Sequence, residues 1–415
     1  MKNELTSLME REDIDAIWIL GSANHNPAMM YFTGAVHLSS ADLILKRGEE
    51  PVIFCNPMER DEAASTGLKV INAAKYEYTK LLEETGGDLN KAGALVRKKM
   101  FEELGITQGK ISVYGKTELS SQIGVFSILG ELLPGVNFIG EGTKSILLEA
   151  RATKDEREIQ RIRKMGEITT GVVAKTASFL QGCKVREDEV LLNENDTPVT
   201  VGQVKTKINY WLAEQGVENP EGTIFAIGRD AGVPHSAGKS DDEIRLGKTI
   251  IFDIFPQEAG GGYFFDFTRT WCLGYAPEAE KQLHQDVWSV YQGIMKELEV
   301  DRWAPDFQER TCELFEAQGH KTIRQDNQLQ SGYVHSLGHG LGLYVHERPW
   351  FGKGANQEDK LAPGSVVTIE PGLYYPEKGM GCRIEDTVWV KPDGSMEILA
   401  DYPYDLVLPL ENWKE

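Results

Sequence analysis

The sequence predicts a smaller α/β domain over residues 1–150, followed by an α+β domain over residues 151–415. Three observations carry this. The length of 415 residues exceeds what a single hydrophobic core usually serves. The N-terminal third alternates short apolar runs with helical patterning. From Thr249 onward, strand-like runs cluster around helices instead of alternating strictly with them.

In the first domain, residues 14–20 read as a strand. Residues 41–46 and 51–56 flank Arg47-Gly48-Glu49-Glu50 and read as a hairpin. Helical patterning over 88–103 leads to a strand at 110–114 and a further helix over 120–133. A charge-dense segment from Leu147 to Arg163 marks the domain boundary and passes into a long helix over 155–178. Residues 186–201 are polar and read as a loop or insertion. Helices are expected at 277–298 and 306–319, with no internal repeat or low-complexity tract.

Composition narrows the function. The hydrophobic fraction of 41% and charged fraction of 26% describe a soluble globular protein. A net charge of −20 argues against nucleic acid, whose phosphates call for clustered Lys and Arg. Five scattered cysteines form no Cys-x-x-Cys pair and read as free thiols in a reducing compartment. Met1-Lys2-Asn3-Glu4-Leu5 does not resemble a signal peptide, and no run approaches the ~18 apolar residues that span a bilayer. A cytoplasmic location is expected.

The chemistry is written in misplaced carboxylates. Asp253 falls inside Thr249-Ile250-Ile251-Phe252-Asp253-Ile254-Phe255, and Asp266 follows Tyr263-Phe264-Phe265. Glu370 closes Val366-Val367-Thr368-Ile369, and Glu385 lies between Arg383-Ile384 and Asp386-Thr387-Val388-Trp389-Val390. A buried, ionised carboxylate is costly unless paired or bound to metal. The glycines at 260–262 signal a turn, so the strands around Asp253 and Asp266 read as a hairpin with both aspartates on one face. Pro371-Gly372 holds Glu370 extended and predicts a turn after it. Arg383 is placed to support Glu385 from outside.

In His335-Ser336-Leu337-Gly338-His339-Gly340-Leu341-Gly342, three glycines argue against a helix and for backbone packed closely against something. Asp253, Asp266, His339, Glu370 and Glu385 together offer four oxygen-donor side chains and one imidazole. That set suits Mn²⁺, Co²⁺ or Zn²⁺. Four negative charges match two divalent cations, which points to a dinuclear site that acidifies a shared water.

Other motifs are excluded. Gly232-Val233-Pro234-His235-Ser236-Ala237-Gly238-Lys239-Ser240 has five residues between glycines where a phosphate loop has four. His346-Glu347-Arg348-Pro349-Trp350 has Trp where a zinc-protease helix needs its second His. No Gly-x-Ser-x-Gly nucleophile elbow is present.

The chain resembles the pita-bread metallopeptidases, in the branch of Xaa-Pro dipeptidases (prolidases) and aminopeptidase P. Tyr31-Phe32-Thr33-Gly34 is similar to that branch's N-terminal domain, and residues 151–162 to its interdomain helix. The remaining correspondences are Asp253, Asp266-Phe267-Thr268-Arg269-Thr270, Gly338-His339-Gly340-Leu341-Gly342, His346-Glu347, Ile369-Glu370-Pro371-Gly372 and Arg383-Ile384-Glu385-Asp386. The resemblance implies a pita-bread catalytic domain in which Asp266 and Glu385 bridge two metals. Asp253 would complete one metal, and His339 with Glu370 the other.

It further implies that a hydroxide shared by the metals attacks the scissile carbonyl, with Glu370 handling the proton. His235 and His346 would steady the tetrahedral intermediate, His335 would line the pocket, and Thr268 and Arg383 would orient ligands. The implied substrate is a small peptide with proline at the second position, and the implied assembly is a homodimer. Two departures stand out: the 253–266 hairpin is about two residues longer than is usual for that family, and Phe255 replaces a common glycine. The competing readings are a lyase-like pita-bread enzyme acting on a non-peptide small molecule, and a non-catalytic binding module.

Overall fold

The computed structural model describes residues 4–142, 145–352 and 354–413. The first three residues of the N-terminal reading therefore lie outside the described residues. The chain separates into two compact units, one of residues 1–150 with 260–262, the other of 151–259 with 263–415.

The first unit is built on a six-stranded mixed sheet. Its order is Lys69–Asn72, Val52–Cys55, Ala41–Lys46, Ala16–Gly21, Gly109–Lys116, Val136–Ile139. Ala41–Lys46 and Val52–Cys55 pair antiparallel, as the hairpin reading expects. Ala16–Gly21 is apolar at successive positions because both faces are covered. Trp18 and Leu20 enter one core with Phe54 and Phe101, while Ile17 and Ile19 enter another with Leu43 and Ile53.

The second unit opens with the long helix Glu156–Gln181. Asp155 caps it in a reciprocal box: its side chain accepts the Glu158 N–H, and the Glu158 carboxylate accepts the Asp155 N–H. Residues 186–201, expected as loop, are more ordered than that. The short strands Lys184–Val185 and Leu191–Leu192 pair antiparallel, and Val190, Leu191 and Val199 are buried. A helix follows at Val201–Glu214, capped by the Thr200 hydroxyl. Its packing face of Val201, Val204, Ile208 and Leu212 is spaced for a helix, but the polar run before it masks the start.

Two sheets carry the centre of this unit. The first has the order Thr223–Ile227, Ile250–Ile254, Phe267–Leu273, Val407–Leu408. The second runs Glu347–Trp350, His339–Gly340, Val366–Ile369, Asp386–Val390, Met396–Ile398. Helices Glu278–Glu297 and Ala304–Ala317 share a core with Val367, Ile369, Val388 and Val390 of the second sheet. No helix among the described residues is long and apolar enough to cross a membrane.

Candidate metal centre

The strands around Asp253 and Asp266 do pair antiparallel, with Asp253 opposite Thr268. Their connection is not a simple turn, because Gln257–Glu258 leaves to pair with Val217–Glu218. Asp266 sits one residue before its strand begins and two from Thr268, so it shares a face with Asp253.

Glu370 and Glu385 meet at a break. Val366–Ile369 pairs with Asp386–Val390, after which Gly372–Tyr375 pairs with Met380–Arg383. Pro371 cannot donate to a ladder, and the pairing lapses between the two hairpins. Both glutamates lie in that gap. Glu370 is fixed by its N–H to the Leu337 carbonyl (2.8 Å), Glu385 by its N–H to the Thr268 carbonyl (3.1 Å). Where the sequence predicts a turn after Glu370, the chain resumes as a strand.

The glycine-rich stretch is not helical and is packed hard. A Cβ on Gly338 would lie 2.0 Å from the Thr368 carbonyl oxygen, and one on Gly340 1.9 Å from that of Arg348. His339 is thereby carried against the carboxylates. Its Nδ1–H donates to the Gly340 carbonyl (3.1 Å), leaving the Nε2 lone pair 3.4 Å from Glu370 Oε1 and 3.7 Å from Asp266 Oδ2.

Burial, with His346 adding to it, holds the His339 imidazole neutral by pulling its pKa down to about 3. Neutral nitrogen facing carboxylate oxygen is repulsive unless a cation lies between. One donor atom from each of Asp266, His339 and Glu385 falls within 4.8 Å of the others.

Asp266, Glu370 and Glu385 resist ionisation together. Burial and then the charge of Glu385 push Asp266 well up, and the same two causes act on Glu370. Glu385 is raised by burial and by Asp253. Asp253 is held by Arg383, whose Nη2 donates to Oδ2. Its Oδ1 is buried and has no hydrogen-bond partner among the described residues. An acceptor left bare in such a cluster fits a cation site. The donor set and the orphaned oxygen agree with divalent metal.

Arg383 links the centre to its surroundings. Besides Asp253 it donates through Nε to Thr268 Oγ1 (3.2 Å) and through Nη1 to Tyr374 Oη (2.7 Å). Thr268 Oγ1 in turn donates to Glu385 Oε2 (2.7 Å). The Tyr374 hydroxyl donates to His335 Nε2 (2.8 Å), while His335 Nδ1–H donates to the Ser336 carbonyl (2.7 Å). Both ring nitrogens of His335 are thus engaged, which sets it apart from His339.

The five ligand candidates open into a cleft of about 820 Å³. His235, from the rejected phosphate-loop segment, lines it, as does His346, whose ring centroid is 4.3 Å from that of His339. Phe255, Trp350, Phe351 and Ile323 form apolar wall, and Gln308 approaches from helix Ala304–Ala317.

Sequence reasoning missed Tyr374 and Gln308. The Gln308 Oε1 accepts the Leu337 N–H (2.5 Å) and the Tyr333 hydroxyl (2.8 Å), pinning the stretch that carries both His335 and His339. A glutamine on the buried, mostly apolar face of Ala304, Phe307, Cys312 and Phe315 was the available signal.

Comparison with known proteins follows the same lines. The Xaa-Pro dipeptidases of Pyrococcus furiosus and Pyrococcus horikoshii are 26% identical over 402 residues and 28% over 399 residues. They cover 95% of this chain and 96% and 95% of their own lengths. Among solved structures, a dipeptidase from Pyrococcus horikoshii superposes with a TM-score of 0.73 at 23% identity, covering 97% of this chain and 98% of that one. An X-Pro aminopeptidase from Thermotoga maritima gives 0.71 at 24%, covering 96% and 99%. These likenesses fix the fold as that of the prolidases and aminopeptidase P. A profile of metallopeptidase family M24 matches residues 160–392, more than half of the chain, and the chain belongs to that family.

Proposed function

We propose that this chain is a metal-dependent peptidase that hydrolyses Xaa-Pro bonds in dipeptides or at the N-terminus of short peptides. The observation that carries the reading is the convergence of buried Asp253, Asp266 and Glu385 and partly buried Glu370 on a neutral imidazole, with Asp253 Oδ1 left bare. The named relatives supply the bond type. The division of labour is a catalytic domain over 151–415 and an accessory domain over 1–150.

Asp253, Asp266, His339, Glu370 and Glu385 would hold two divalent cations, with Asp266 and Glu385 shared between them. Mn²⁺ is the first choice, with Co²⁺ or Zn²⁺ as alternatives. Bound there, the cations supply Lewis acidity and a water of lowered pKa. The chain's own residues do the rest. Glu370, beside the cleft, takes a proton and passes it to the leaving nitrogen. His235 and His346 donate to the developing oxyanion.

Arg383 and Thr268 fix the carboxylates so that little reorganises during the reaction, and His335 shapes the pocket. A nitrogen belonging to proline has no hydrogen to offer, so recognition falls to shape. Phe255, Trp350 and Phe351 provide such shape in the cleft wall. We take the working form to be a cytoplasmic homodimer; five buried free thiols support the reducing setting.

Metal-stripped protein resupplied with Mn²⁺, Co²⁺ or Zn²⁺ should cleave Xaa-Pro dipeptides or Xaa-Pro-Yaa tripeptides. Cleavage of the dipeptide alone defines a dipeptidase, and cleavage of the tripeptide an aminopeptidase. No hydrolysis of either with any metal refutes the proposal.

A further inference from the structure

His339 and His346 lie on one hairpin: His339–Gly340 pairs antiparallel with Glu347–Trp350, and residues 341–346 make the turn between. Glu347, the first residue of the returning strand, is fully buried. Its two oxygens are bound separately. Oε1 accepts the Tyr344 N–H (3.0 Å) and faces Arg151 Nη2 (3.3 Å), whereas Oε2 faces Lys154 Nζ (3.4 Å). Arg151 also stacks on the Tyr344 ring, 5.2 Å from its centroid.

Both cations are nearly buried themselves and come from the segment that begins the second unit. That segment is anchored independently, by the Lys154 N–H to the Gly364 carbonyl (2.7 Å) and a bridge between Thr153 and Ser365. One cation would neutralise Glu347. Two, on different oxygens, also fix the rotation of the carboxylate and so the turn it caps.

We propose that Arg151 and Lys154 are positioning residues for His346, acting through Glu347. The ion triad locks the turn so that the exposed His346 ring is presented to the cleft beside His339. Gly342 belongs to the same device. A Cβ there would lie 2.4 Å from Glu347 Oε2 and 3.1 Å from Lys154 Cε, so only glycine leaves room for the carboxylate between its partners. The catalytic part of this inference rests on the peptidase reading above; the structural part does not.

The test is a double-mutant cycle with an exchange measurement beside it. Lys154→Met should lower kcat about tenfold with KM changed less than about twofold and metal per chain unchanged, and Lys154→Arg should restore most of the loss. In a His346→Ala background, Lys154→Met should add less than about a further twofold. Gly342→Ala, which displaces the carboxylate without removing a charge, should reproduce the effect if Lys154→Met folds poorly.

Equal losses in both backgrounds, or an unchanged kcat in the single variant, overturn the proposal. Independently of any activity, amide exchange at Tyr344 should accelerate in Lys154→Met and in Gly342→Ala. Unaltered exchange overturns the lock even if the protein cleaves no peptide at all.

Discussion

Glu385 and Asp386 are adjacent, acidic and equally buried, and the structure treats them in opposite ways. Asp386 is enclosed by donors: Arg269 Nη2 reaches Oδ1 (2.9 Å), and the hydroxyls of Tyr291 (2.5 Å) and Tyr404 (2.7 Å) reach Oδ2. Among the described residues Glu385 receives one side-chain hydrogen bond, from Thr268, and the charge of Arg383 only partly offsets burial and the carboxylate of Asp253. The pairing teaches that burial does not by itself mark a metal site. What marks it is burial without satisfaction, and the strand alternation that sends neighbouring side chains to opposite faces delivers one residue to each regime.

The contrast is easiest to break at the open side. Glu385→Ala or Asp266→Ala should abolish hydrolysis and lower bound metal per chain, measured by elemental analysis, while the metal-free protein unfolds at nearly the same temperature or higher. A large loss of metal-free stability would place these carboxylates with Asp386 as structural ion partners.

On the closed side, Asp386→Ala leaves Arg269 buried and unpaired and should destabilise the fold by about 3–5 kcal/mol in denaturant unfolding. Metal stoichiometry of the folded fraction should stay the same. Thr268→Val removes the hydroxyl that serves Glu385 and Arg383, and should weaken metal affinity about 10- to 100-fold by competition with a chelator.

The smallest effect is in pH. Asp266, Glu370 and Glu385 have pKa values raised on folding, Glu385 to about 8. Their contribution is therefore fully present below the ordinary carboxylate range and is lost as pH rises through the folded values. Metal-stripped protein should melt progressively lower from about pH 5 towards pH 8, and saturating Mn²⁺ should flatten or reverse the slope. A metal-stripped protein that grows more stable over that window would show the cluster to be satisfied without a cation.

How much of this the sequence made legible follows from range. Asp253, Asp266, Glu370 and Glu385 announce themselves because each interrupts an apolar run, a contrast visible within a few residues. His339 is legible through its flanking glycines. The partners that complete each group are not. Tyr374 is an ordinary strand tyrosine until Arg383 and His335 arrive on it, and Glu347 gives no sign of Arg151 and Lys154, nearly two hundred residues upstream.

Besides the turn expected after Glu370, local pattern misled in two further places. The polar 186–201 segment concealed buried Val190, Leu191 and Val199, and the glycines at 260–262 suggested a plain hairpin where the chain makes a detour through Gln257–Glu258. In both, a few paired residues decide the path, too few to leave a periodic signature.

The close approach of carbonyl oxygens to Gly338 and Gly340, and of the Glu347 carboxylate to Gly342, bears on how tolerance to mutation would be distributed along this chain. A saturation scan should reject even alanine at Gly338 and Gly340, where a Cβ would meet a carbonyl oxygen at 2.0 and 1.9 Å, and should show a milder loss at Gly342, where it would meet the Glu347 carboxylate. Between them substitutions of His339 should also be rejected, for the separate reason of its proposed ligand role, while Leu341 should accept residues of similar volume. Sensitivity read without coordinates would thus credit to catalysis a constraint that at the glycines is simply lack of room.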